Sequence, residues 1–415
     1  MGGRLSGKRA IPYVFWGLTC LAIVIWSLVP GYVVGWDLNV YKNAILALRA
    51  GHDPYADGIA VQRLFHAEIA HHVNEPTPFT YVYSPLTLPL LRLIGAIPFL
   101  VSAPVYWVVY VLAAIATIWV GMQFVEEREK RVMALLAPAA IFFPGLIQND
   151  VLFAGNVACI LYAAVFLAAW RGWQRGDWKW FYVAVLATSC CKAPMLSLLA
   201  IAVLSARKQW VPVLVTGAAG IALFAMQPLV WPTAFHNYLE AVELQFSFNH
   251  DFSSSPAGLM ANSLYNVIPY TITSAVFYLM YAVPIFLVLL HLSRKFMAGA
   301  FSLKQWVSPM LVGVVLLNPR IMEYDVAPLT ISMALVVWRF SSRRRTMAMS
   351  IVLASIFFAG INISGAFFWR PTECFALIAV FVAGVWELFD LVKHGVPAAD
   401  EVAEAAATRE ALAVR

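Results

Sequence analysis

Long apolar blocks separated by short charged gaps set the pattern of this chain. The first block runs from Ile11 to Val34, behind a basic start carrying Arg4, Lys8 and Arg9. At 1.5 Å rise per residue it is long enough to cross a bilayer core, and no small-residue cleavage site interrupts it. It reads as an uncleaved transmembrane helix with its N-terminus inside. Further blocks lie at roughly 102–124, 132–148, 151–170, 179–193, 194–206, 211–230, 272–293, 304–319, 326–340, 347–366 and 373–392. Each predicts a helix that crosses or nearly crosses a bilayer.

The charged gaps orient these blocks. Arg128, Lys130 and Arg131; Arg171, Arg175 and Lys179; Arg207 and Lys208; Arg294 and Lys295; Arg343 to Arg345; and Lys393 all fall in alternate loops. The positive-inside rule puts those loops in the cytoplasm, and about twelve crossings with both termini inside satisfy it. The piece Tyr83–Leu93 is apolar but short, broken by Pro85 and Pro89 and carrying Arg92. A full crossing there would turn Arg343–Arg345 outward. The pattern therefore predicts a re-entrant or interfacial helix on the outer face.

Two long polar gaps remain, both assigned outside. The first extracytoplasmic loop, about 35–101, holds two amphipathic stretches. Leu38, Tyr41, Ile45 and Leu48 form the apolar side of one, opposite Lys42, Asn43 and Arg49, and Gly51 ends it. Val61, Leu64, Phe65 and Ile69 form the apolar side of the other. Such helices either lie in the headgroup plane or pack on the bundle. The second outer loop, about 231–269, carries His236, Glu240, Glu243, His250 and Asp251, and its Ser253-Ser254-Ser255-Pro256 run predicts a flexible segment.

Composition agrees with the pattern. The chain is 62% hydrophobic and 12% charged, with a mean hydropathy of +0.77. Soluble domains run near half and a quarter, so this is an all-α polytopic membrane protein. Residues 1–397 make one membrane domain, and 398–415 an Ala/Glu-rich cytoplasmic tail. The net charge of +6 needs no nucleic-acid partner, because membrane proteins collect Lys and Arg on cytoplasmic loops. The five cysteines lie in apolar runs without ligand or disulfide spacing, and His71-His72 has no third ligand at useful spacing, so no metal site is expected.

The chemistry-bearing residues gather on the outer side. Asp37, in Gly35-Trp36-Asp37-Leu38-Asn39-Val40-Tyr41, sits one step beyond the first block. It is either a solvated boundary charge or a base placed where a lipid-borne substrate meets water. Lys192 and the Arg320–Asp325 cluster stand at span ends, where a charge still costs free energy. An internal ion pair of Arg320 with Glu323 or Asp325 is one account of that cluster. No Walker loop, dinucleotide fingerprint, His-Glu-x-x-His or nucleophile elbow occurs.

Several short motifs recur in one order: Asp37-Leu38-Asn39-Val40-Tyr41, Gly51-His52-Asp53-Pro54-Tyr55, Tyr81-Val82-Tyr83-Ser84-Pro85-Leu86, Gly155-Asn156, Lys192-Ala193-Pro194, and Asn318-Pro319-Arg320 through Tyr324-Asp325. In this set the chain resembles glycosyltransferase family 87 of the integral-membrane GT-C superfamily, which includes mycobacterial alpha-1,2-mannosyltransferases. Two positions depart from the family pattern. Asn156 stands where Gln is usual, and Met322 and Glu323 stand where a histidine is often seen.

The resemblance implies a GT-C-type bundle in a bacterial inner membrane with an extracytoplasmic active site. It implies an inverting transfer of a sugar, mannose first and arabinofuranose next, from a polyprenyl-phosphate donor to a lipid or glycan hydroxyl. Asp37 would be the general base. Lys192 and Arg320, then Arg370 and His250, are the candidates for holding the departing phosphate. Tyr41, Tyr83, Asn156, Tyr324 and Asp325 would contact the donor, although the tyrosines equally suit interfacial anchoring. No cofactor is implied, and the partners are the donor, the acceptor and membrane lipid. The other readings are a lipid or sugar transporter or flippase, for which no internal repeat is seen, and a non-catalytic assembly subunit.

Overall fold

Gly35, at φ +75°, turns the chain into helix α1 (Trp36–Arg49), and Gly51, at φ +81°, ends that stretch. A computed structural model describes residues 35–68, 79–133, 154–247, 253–264, 267–343 and 369–394. The expected spans 11–34 and 347–366, most of 132–148, His71-His72, His250 and the tail lie outside these residues. Among the described residues every regular element is helical.

Asp53 caps α2 (Pro54–Ala67), its side chain accepting from Tyr55 N. The proline-broken piece forms a 3-10 turn at Pro85–Thr87 and then the short α3 (Leu88–Gly95), with Leu90 and Leu93 turned outward. Helix α4 (Phe99–Met122) follows. It buries Tyr110, Ala113, Ala114, Thr117, Val120 and Gly121 and exposes Leu100, Val105, Val108, Leu112 and Ile115. Mostly small residues inward and bulky apolar ones outward is the arrangement of a helix solvated by lipid.

Next come α5 (Ala158–Arg175), α6 (Lys179–Cys191), a 3-10 stretch at Ala193–Leu199 running into α7 (Ala200–Ser205), and α8 (Trp210–Val230). The 194–206 block is thus 3-10 for half its length, too short to span alone, and without an exposed residue. Helices α9 (Pro232–Ser247), α10 (Pro256–Ser263), α11 (Tyr270–Met297), α12 (Leu303–Leu316), the single turn α13 (Glu323–Val326), α14 (Thr330–Arg343) and α15 (Trp369–His394) complete the order.

Four of the described stretches are long and apolar enough to cross a membrane: Phe99–Met122, Trp210–Val230, Tyr270–Met297 and Glu373–Lys393. The protein is an all-α membrane protein. Its central helix is α12, buried from Trp306 to Leu316. Gly313 lets it meet Phe381 and Leu289, and Gly384 of α15 lets it meet Pro309; a Cβ at either glycine would come within 3 Å of those side chains.

One expectation is refined and one is corrected. On α2 the buried face is Pro54, Tyr55, Ile59 and Gln62, while Val61 and Leu64 point outward, Leu64 being 65% exposed. The aromatic contacts of Tyr55 with Tyr81 and Tyr238 orient the helix against its own aliphatic stripe. The run Ser253–Ser255 is not a flexible segment. All three serines are buried, Ser254 N donates to Ile321 O (2.8 Å), Ser255 Oγ donates to Pro319 O (3.2 Å), and Ser255 caps α10 through Gly258 N (3.0 Å).

The two long polar gaps pack on each other. Tyr41, Tyr55, Ile59, Tyr81, Leu88 and Leu91 form one apolar cluster with Ala241 and Leu244 of α9. Asn237 donates to Asp53 (2.9 Å), and Arg63 pairs with Glu240 beside it. At the far end of α4, Arg339 of α14 grips Glu129 with two bonds (2.8 and 2.7 Å) and donates to Lys304 O (2.8 Å).

Candidate active site

Two glycines in the left-handed region bring the site together. Gly35 (φ +75°) precedes α1 and Gly155 (φ +71°) precedes α5. A Cβ on either would stand 3.1 Å from the Trp107 indole, so both backbones lie against that ring. Tyr106 OH donates to Gly155 O (2.5 Å) and fixes the second turn. The starts of α1 and α5 are thereby held side by side.

Asp37 falls in the first turn of α1, where unpaired backbone N–H groups favour a negative side chain. It is 6% exposed, and Asn156 Nδ2 donates to its Oδ2 (3.0 Å). Asn156, 3% exposed, accepts at Oδ1 from Ala158 N (2.9 Å) and, at longer range, from Tyr83 OH (3.5 Å). Tyr83 and Tyr41 share a hydroxyl bond (2.9 Å), and Tyr41 OH accepts from Val157 N (3.0 Å). Asp37, Asn156, Tyr83 and Tyr41 are one hydrogen-bonded network, not boundary residues facing water.

The segment carrying Tyr83 is itself held firmly. Ser84 Oγ donates to Gln227 Oε1 of α8 (2.8 Å), Tyr55 OH donates to Tyr83 O (2.6 Å), and Thr80 Oγ1 donates to Gln62 Oε1 (2.7 Å). Burial is the main cause that holds the Tyr41 and Tyr83 phenols well above their ordinary range. The nearby Asp37 charge pushes the same way, so both stay neutral hydrogen-bonding groups.

A second cluster joins α6 to α13. Lys192 Nζ donates to Asp325 Oδ1 (2.6 Å), with side-chain exposures of 10% and 0%. Asp325 Oδ2 accepts from Met322 N (3.0 Å), and the ammonium lies 4.3 Å from the Tyr324 ring centre. Asp325 thus pairs with Lys192. Arg320 is half-buried, its backbone N donating to Asn318 Oδ1 (3.1 Å) and its guanidinium 5.9 Å from the Phe246 ring. Tyr83 stands between the clusters, within electrostatic reach of both Asp37 and Tyr324. All eight residues expected at the site are described, and seven fall into these two linked groups; Arg320 borders the second, its charge felt by Lys192.

Sequence reasoning missed Glu373. It lies near the start of α15, is 2% exposed, and has Asp325, Glu323, Arg370 and Ser254 as neighbours. A carboxylate at the end of an apolar span was the signal for it. Trp107 and Tyr106 were also missed, because their roles come from backbone turns distant in the chain that no local pattern announces. Among the described residues no group of three His, Cys, Asp or Glu side chains is placed to hold a metal ion. No protein-family description matches the chain, and a search of characterised proteins finds no match. Fold and site together define an all-α membrane protein with a buried acid–amide–phenol network.

Proposed function

We propose that this protein is an inverting glycosyltransferase of the GT-C type. It moves a sugar, mannose in the first instance, from a polyprenyl-phosphate donor to an acceptor hydroxyl on the extracytoplasmic face of a bacterial inner membrane. About twelve spans with both termini inside go with this reading. The observation that carries it is the network that gathers Asp37, Asn156, Tyr83 and Tyr41, three separate motifs, around one carboxylate.

The chemistry balances on these groups. The acceptor oxygen attacks the anomeric carbon from the face opposite the phosphate. Its proton passes to the Asp37 carboxylate, a contribution worth about 10²–10⁴-fold. The anomeric C–O bond breaks with its electron pair leaving on the polyprenyl phosphate. A cation must meet that charge. Lys192, paired with Asp325, and Arg320, half-buried at the edge of the same cluster, are the two cations at hand.

The test uses membranes containing the protein and a polyprenyl-phosphate mannose donor. Asp37→Asn, similar in shape but a poor base, is expected to lower transfer by at least about 10²-fold with the protein still inserted and folded. Undiminished transfer by that variant sinks the assignment.

A further inference from the structure

Asn156 was expected at a donor contact, yet its amide is turned to Asp37. An amide side chain presents one donor end and one acceptor end, and here the choice is fixed from behind. Ala158 N can only donate, so the atom it meets at 2.9 Å must be the carbonyl Oδ1. The donor end, Nδ2, therefore faces Asp37, and the Asp37 oxygen it meets at 3.0 Å must accept. The backbone donor is at the first turn of α5, and the Gly155 turn that sets it is wedged on Trp107. Among the described residues, the titratable groups within electrostatic reach of Asp37 include Tyr41 on its own helix, Tyr83 on the 79–84 segment and Tyr106 on α4, with Cys159 of α5 within reach of Tyr106.

We infer that Asn156 is a positioning residue for Asp37: its backbone-locked amide holds the carboxylate in one rotamer and in the ionised, proton-accepting form. The role rests on Asp37 being the base. It makes the Gly155-Asn156 turn part of the proton-transfer machinery, not part of sugar recognition.

Asn156→Asp removes the donor and sets a second carboxyl about 3 Å from the first. Two carboxylates that close share a proton. The acid limb of the kcat/KM profile, measured with polyprenyl-phosphate mannose, is expected to move up by at least about one pH unit in this variant. At neutral pH kcat should fall while KM for the donor holds. Asn156→Gln, which keeps an amide, should leave the limb where the wild type has it.

A second readout needs no substrate. Infrared spectra of the purified protein across pH should show a protonated-carboxyl band at neutral pH in Asn156→Asp that is absent from the wild type and from the Asp37→Asn, Asn156→Asp double variant. Acid limbs that coincide in all forms, or no new carboxyl band in Asn156→Asp, would overturn the inference. If Asp37→Asn keeps full transfer while the band appears as expected, the base reading fails and the control of Asp37 by Asn156 stands.

Discussion

Lys192 and Asp325 show what single residues contribute here. The pair is buried almost completely, so its worth lies less in attraction than in what breaking it exposes. Lys192→Met leaves a fully buried carboxylate uncompensated and is expected to cost about 3–5 kcal/mol, with the Lys192→Met, Asp325→Asn double variant recovering part of it. Unfolding midpoints in detergent measure both. Gly155 is a second such position. Alanine there meets a left-handed backbone, worth about 1–2 kcal/mol, and a ring 3.1 Å away. Gly155→Ala should lower the melting temperature and, by displacing Asn156, reduce the proposed sugar transfer more than that instability alone explains. Asp37 and Lys192 were legible in the chain as charges beside apolar runs. Their pairing was not, because Asn156 and Asp325 lie 119 and 133 positions away.

At the scale of elements, periodicity found the helices, and packing decided which face of each meets the protein. Helix α1 buries Tyr41 and Ala44 with Leu38, Ile45 and Leu48 packed alongside, as its stripe predicts. Helix α2 turns Tyr55 inward onto aromatic partners from other elements and leaves Val61 and Leu64 facing away from the protein. Polarity misled at Ser253–Ser255, where the Ser253 and Ser255 hydroxyls answer buried backbone groups and the run ends up in the core. Ser255→Ala removes the α10 cap and is expected to cost about 0.5–2 kcal/mol, readable as a drop in unfolding midpoint. The proline-broken piece forms only the short helix Leu88–Gly95.

Over the whole molecule, composition alone carried the class, while the assembly of distant gaps into one cap came from long-range contacts. That cap holds Tyr41, Tyr55, Tyr81 and Tyr83, whose phenols burial raises above the ordinary value of 10.0. The unfolded chain releases these protons near pH 10 while the folded chain keeps them. Their contribution to stability is therefore complete below pH 10 and is lost as pH climbs from there toward the folded values. Alkaline titration followed by phenolate absorbance should show these groups ionising only as helical circular dichroism disappears. The grip of Arg339 on Glu129 has its own consequence in time. The partners are 210 positions apart, so during synthesis at about 5–20 residues per second Glu129 emerges roughly 10–40 s before its arginine. Until then the early helices lack the latch that joins α4 to α12 and α14. A nascent chain stalled before residue 339 should be open to protease beside Glu129, and one released past it closed.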